Sequence, residues 1–314
     1  MAYTDIDKPS DYFETKLYTG NAGTLNVTGL DFQPDWVWIK NRTSDYTHGL
    51  YDSVRGAGSS KGIYSNTNEA EGTNSAFQNL TSFNSDGFSL GSTSNTNVIN
   101  TNSQNHVSWN WVAGTSFTND ASATGIGSID STGSVNTDAG FSIVSYSGNS
   151  TAGATIAHGL GATPKMMIVR KRNSAENWLV YHASTGNTGA TLLNGTNAFF
   201  EDNMWNSTSP TSSVFTVHGG AGANASGGTY IAYCFTDVKG YSKFSSYIGN
   251  GNADGAFVYT GFKSAFVMIK KTSGTGNWCL FDNKRGVNGA MIQLNPDVNN
   301  ADNTSNYIDF LSNG

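Results

Sequence analysis

Along the whole chain, short apolar runs alternate with stretches of Gly, Asn, Ser and Thr. No segment carries a sustained helical period, whereas several carry the period-two alternation or the short continuous apolar run of β-strands. Runs such as Trp36-Val37-Trp38-Ile39 and Met166-Met167-Ile168-Val169 are bounded by turn residues and predict strands buried on both faces. Val107-Ser108-Trp109-Asn110-Trp111 and Ile231-Ala232-Tyr233-Cys234-Phe235 alternate instead, which predicts one packed face and one open face.

The pattern recurs three times. Tyr18, Tyr146 and Tyr247 each stand two residues before a Gly-Asn pair. An apolar strand ending in a base follows each time, at Lys40, Arg170 and Lys270. Next come Leu50-Tyr51-Asp52, Trp178-Leu179-Val180-Tyr181-His182 and Trp278-Cys279-Leu280-Phe281-Asp282, with Arg55-Gly56 answering Arg285-Gly286. Phe83 to Leu90 parallels Ser212 to Val217. The expected architecture is all-β, with tandem β-sandwich or jelly-roll-like units at residues 1–117, 118–240 and 241–314. Thr115 to Asp138 reads as an exposed connection, and the short second boundary places units two and three close together. Phe310 to Gly314 aligns with Phe83 to Gly87, so the third unit is incomplete, with its last strand expected near Tyr307 to Leu311 as an open edge.

Composition refines this picture. Only 13% of residues are charged, while 12% are aromatic and Gly supplies 37 of 314. So many aromatics argue against disorder, and so many glycines argue for tight turns. The net charge of −6 comes with no basic stripe, which disfavours nucleic acid as a partner. No apolar run reaches the ~18 residues of a membrane span, and Met1 to Tyr18 lacks a signal-peptide core. Synthesis in a cytoplasm and no membrane insertion are the expectation. Cys234 and Cys279 supply no disulfide framework and read as buried thiols.

Candidate chemistry is sparse. The five histidines, at 48, 106, 158, 182 and 218, lack metal-ligand spacing. The acids Glu69, Glu71, Glu176, Glu201, Asp202 and Asp282 single out no pair for glycoside cleavage. Glu69-Ala70-Glu71 reads as a solvated loop. Gly249 to Gly255 alternates oxygen-bearing residues but lacks the downstream acid of a Ca²⁺ loop, and reads as a hairpin turn. Asn203, Trp205 and Asn206 form a loop that could stack on a sugar ring, or anchor itself through a half-buried indole. Lys40, Arg170 and Lys270 are expected to close equivalent polar corners. Neither a catalytic residue nor a cofactor is assigned.

The repeated blocks resemble a family of virion proteins common in tailed bacteriophages of marine bacteria and cyanobacteria. The resemblance rests on Leu17 to Asn21 with Phe32 to Lys40, Phe88-Ser89-Leu90-Gly91, Gly140-Phe141 to Gly148, and Gly240 to Phe244 through Asp254 to Phe262. It spans essentially the whole chain and implies a virion location, in the tail more than in the head. The function it implies is a structural one, as a tail fibre or fibre-attachment component in host adsorption. Its implied partners are other virion proteins, further copies of the chain in a trimer, and a host surface glycan. A capsid-surface decoration or head-fibre protein is the alternative, and a polysaccharide depolymerase is the alternative from another class.

Overall fold

The computed structural model describes residues 4–73, 79–92, 98–286, 291–304 and 308–314. It is all-β, with antiparallel sheets joined by turns; among the described residues the helical pieces are two four-residue α-helices, α1 (Ala121–Thr124) and α2 (Ala221–Asn224), and two single 3-10 turns, Pro9–Asp11 and Ser59–Lys61.

The first unit holds β1 (Phe13–Thr19), β2 (Leu25–Thr28), β3 (Trp36–Asn41), β4 (Gly49–Asp52), β5 (Leu80–Asn84), β6 (Gly87–Leu90) and β7 (Asn105–Trp111). One sheet has the order β1-β7-β3-β4 and the facing sheet the order β2-β6-β5. The second unit holds β8 (Thr115–Asn119), β9 (Ser131–Asn136), β10 (Phe141–Ser147), β11 (Ala154–Ala157), β12 (Met166–Lys171), β13 (Leu179–His182), β14 (Gly186–Leu192), β15 (Phe200–Glu201), β16 (Val214–Val217) and β17 (Thr229–Phe235). Its main sheet contains β10-β17-β12-β13 in sequence, and β11 pairs β16 against it. The two units thus repeat one strand order. The register repeats as well: Trp36 faces Trp111 and Asp52 across its neighbours, and Met166 faces Phe235 and His182.

The third unit holds β18 (Phe266–Ile269), β19 (Cys279–Asp282), β20 (Ile292–Gln293) and β21 (Asn303–Thr304). Phe266 pairs Asp282, the register of the other two copies. Tyr307 lies outside the described residues, and the remainder of the edge strand expected there, 308–311, is not a strand.

Two sequence expectations are overturned. The stretch from Thr115 to Asp138 is not an exposed connection. Strands β8 and β9 pair along five residues and extend the main sheet beyond β10. Asp120 caps α1 at the turn of this hairpin, accepting from the amides of Ser122 and Ala123. Nor does the alternation in β7 and β17 mark an open face. Ser108, Trp109, Asn110, Ala232, Tyr233 and Cys234 are all fully buried. Ser108 and Asn110 are polar yet interior, and the Asn110 amide is bonded to Glu14 O and Ser108.

The reason is that every main sheet packs on both sides. Successive side chains of a strand point to opposite faces. In β3, Val37 and Ile39 pack under the second sheet of their own unit, whereas Trp36 and Trp38 point the other way. Met167 and Val169 of β12 behave like the former, and Met166 and Ile168 like the latter. The outward-pointing set converges on a central core with members from all three units, including Trp36, Trp38, Trp109, Ile168, Trp178, Tyr233, Trp278 and Leu280. Trp36 stacks on Tyr233 across this core at 4.3 Å between ring centroids.

Candidate functional site

The polar residues singled out from the sequence are brought together mainly where one unit meets the next, and those contacts form a ring. Just past β3, β12 and β18, a backbone carbonyl accepts a hydrogen bond from a neighbouring unit. The Glu71 amide donates to Arg172 O, the Phe199 amide to Thr272 O and the Asp302 amide to Arg42 O, at 2.8–3.0 Å. The first unit thereby reaches the second, the second the third, and the third the first.

The recurring bases serve the same joints. Lys40 donates to Asn299 O of the third unit as well as to Asn41 O and Tyr46 O. Arg170 donates to Glu69 O of the first unit. Lys270 donates to Thr196 O of the second unit and to Gly276 O. Burial depresses the Arg170 guanidinium to about 10, the cost of withdrawing a charge from water. A ring N–H ahead of the next strand repeats the scheme. Trp178 Nε1 donates to Tyr64 O and Trp278 Nε1 to Leu192 O, both at 2.8 Å, while His48 Nε2 meets Asn295 O at 3.0 Å. His48 accepts from Trp38 Nε1 through Nδ1, so its ring is neutral with the proton on Nε2. Burial holds its pKa well below the ordinary range.

Two of the joints carry a buried acid. Asp52 binds Arg55 at 2.5 Å and accepts from Tyr233 Oη of the second unit at 2.7 Å. Asp282 binds Arg285 at 2.5 Å and accepts from Trp109 Nε1 of the first unit at 3.0 Å. A second acid then bridges two arginines from different units: Glu71 joins Arg55 to Arg172, and Asp302 joins Arg285 to Arg42. Glu69-Ala70-Glu71, expected as a solvated loop, is therefore an interface loop. These carboxylates are each paired with arginine, an arrangement that locks units together.

The three candidate sugar-contact residues are separated by the fold. Trp205 is 1% exposed, donates from Nε1 to Gly189 O, and meets Tyr181 edge-to-face. It has no free ring face; it anchors the loop. Asn206 turns the chain with a positive φ of 50°, and its amide donates to Asn203 O. Asn203 is exposed and lines a groove of about 480 Å³ together with Glu176, Asn177, Phe200, Asp202, Met204 and His218. Phe200 and His218 were not legible as neighbours because they come from β15 and from the segment after β16. The groove offers amide and carboxylate acceptors beside an aromatic ring, which suits a polyhydroxylated ligand.

The remaining candidates are structural. His106 bonds Gln104 O and Asn41, and His158 bonds Thr211 O and the Leu160 amide. Gly249 to Gly255 is an exposed turn held by Asn250, without the flanking strands of a hairpin. Cys234 is buried and Cys279 half-buried, and both are free thiols. Among the described residues, no three His, Cys, Asp or Glu side chains gather as a metal site.

With this geometry established, comparison with protein families gives one match, to a domain of unknown function, DUF7483, over residues 8–314. The chain belongs to the DUF7483 family. No curated protein and no solved structure matches it. In this DUF7483 chain buried ion pairs sit beside the joints between units, and the groove next to Asn203 lies within the second unit.

Proposed function

We propose that this protein is a structural component of a bacteriophage virion, a tail fibre or fibre-attachment part that contributes to host adsorption. The observation that carries the reading is the closed ring of joints, in which buried Lys40, Asp52, Arg170 and Asp282 each bond a neighbouring unit. Such a body resists deformation and presents loops at fixed positions, which is what a particle component needs. The resemblance of its repeated motifs to virion proteins of tailed phages points the same way. In this reading the groove beside Asn203 and Phe200 is the surface that meets a host glycan, and several copies on one particle raise avidity without new contacts.

The test is mass spectrometry of purified phage particles, followed by a reconstruction of the intact particle. The reading expects the chain in stoichiometric amounts, seated on the tail. Absence from purified particles overturns it. Release of reducing ends from host polysaccharide by the purified protein, abolished by Asp202→Asn or Glu176→Gln, would assign a depolymerase instead.

A further inference from the structure

Among the described residues, the third unit has no counterpart of β7 or β17. In the first unit β7 lies between β1 and β3, and in the second β17 lies between β10 and β12. Among the described residues, β18 pairs only with β19. All six residues of β3 are buried, as are five of six in β12, but all four of β18 are only half-buried. The free edge is a row of backbone groups ready to pair.

The segment that should flank the slot on its other side is displaced into solvent. Tyr18 and Tyr146 donate their hydroxyls to Ile99 O and Ala223 O. The Gly-Asn pair after each is clamped by a buried asparagine: Asn100 Oδ1 accepts the Asn21 amide and Asn224 Oδ1 the Asn149 amide, both at 2.9 Å. Both clamps precede the inserted strand at the same spacing, Asn100 before Trp109 and Asn224 before Tyr233. In the third unit Tyr247 is 50% exposed and Ile248 91% exposed, and among the described residues no asparagine grips Asn250. Of the seven large apolar residues most exposed in the chain, five lie in this unit: Tyr247, Ile248, Phe257, Tyr259 and Leu311.

We propose that the slot between β18 and residues 245–250 is a strand-acceptor site. It takes an extended antiparallel segment from outside residues 1–314, built like residues 98–111 and 223–235. That segment carries a clamping asparagine and then aromatic or aliphatic residues at alternate positions. Its alternate side chains complete the central core, its backbone pairs with Phe266 and Met268, and its asparagine draws in the Tyr247 turn. The direction of pairing follows from the other units, where the amides of Arg42 and Arg172 donate to Asn105 O and Thr229 O. In the third unit Asn283 donates to Ala265 O from the β19 side, so alternation leaves the Phe266 and Met268 amides on the free edge. The proposal stands independently of the virion assignment.

The experiment uses the full 314-residue chain and two synthetic peptides with the sequences of residues 98–111 and 223–235. Hydrogen exchange is followed at Phe266, Met268, Tyr247 and Ile248. The expected result is saturable binding of at least one peptide, with slowed exchange at all four positions. A peptide of the same composition with the alternation scrambled gives no protection. Met268→Pro, which removes one edge donor at a position a sheet edge tolerates, lowers peptide affinity at least tenfold. Tyr247→Ala, at an exposed position, lowers it several-fold in a chain whose melting is unchanged. No protection by either peptide at saturating excess overturns the proposal. So does a dimer of the chain that pairs through β18, is lost in Met268→Pro and is not displaced by peptide, because the occupant is then a second copy.

Discussion

Tyr233 in the second unit donates its phenolic hydrogen to Asp52 Oδ2 of the first at 2.7 Å, and the Arg55 guanidinium binds the same oxygen while its backbone amide donates to Oδ1. All three groups are buried. Trp109, Asp282 and Arg285 repeat the arrangement between the first and third units. The two acids were recognisable as repeat positions, but their partners come from strands roughly a half-chain away.

Tyr233→Phe removes one hydrogen bond to a buried charge and keeps the ring packed on Trp36. A loss of about 1.5–3 kcal/mol is expected. Asp52→Ala is the harsher change, because it strands the Arg55 guanidinium without its main counter-charge. A loss of about 3–5 kcal/mol is expected. Urea denaturation of the two variants reads the difference; equal losses would contradict the assignment of Asp52 as the shared hub.

Trp38→Asp places a charge in the central core, where Trp38 is 1% exposed and meets Trp109 edge-to-face. The cost is several kcal/mol, comparable with the whole stability of a domain at ~5–15 kcal/mol. Because the core is common to three units, the damage should extend beyond the first. Hydrogen exchange should accelerate at Ile168 and Leu280 in the same variant. Acceleration restricted to residues 13–111 would show that the units stand independently.

Acid should destabilise the fold through its buried imidazoles. Burial depresses His106 and His158 to about 4 each, from 6.5. Above pH 6.5 both are neutral folded and unfolded, so nothing is lost. Between 6.5 and 4 the unfolded chain binds protons that the fold refuses, and stability falls as pH falls, by up to about 3 kcal/mol per histidine. Asp297, raised to about 6 by burial, works in the opposite direction between 6 and 3.8 and offsets part of one histidine. The urea midpoint should therefore decline steadily from pH 7 to pH 4. An unchanged midpoint refutes the burial of these rings.

Trp205→Phe deletes the indole donor to Gly189 O and keeps most of the packing. It should cost about 1 kcal/mol in stability and leave glycan binding untouched. Phe200→Ala, in the exposed groove, should weaken glycan binding with little change in melting. Glycan-array binding and thermal melting of both variants check the pair, and the reverse result would restore Trp205 as the sugar platform.

Much of the fold is readable in the chain because its local signals agree. The apolar runs at 36–39, 166–169 and 266–269 give three equivalent strands, and the Tyr-x-Gly-Asn turns give their phase. What stays hidden is the second face of each main sheet. Ser108 and Asn110 look like solvent-facing residues, because polar side chains in a strand usually are, and only tertiary packing buries them. Trp205 misleads in the opposite sense: its polar neighbours suggest a surface platform, while its own ring fills the core under β13 and β14. The interface role of Glu71 was equally illegible, since Arg172 lies a whole unit away and no local pattern links them.

The account stands on the three units forming one body around a shared core, and calorimetric unfolding of the 314-residue chain tests this most directly. One transition is expected, with a calorimetric enthalpy equal to the van't Hoff enthalpy. Excised residues 118–240, deprived of Trp36 and Tyr64, should melt well below the full chain. Two or three separate transitions, with the excised unit melting where it does in the full chain, would contradict the shared core.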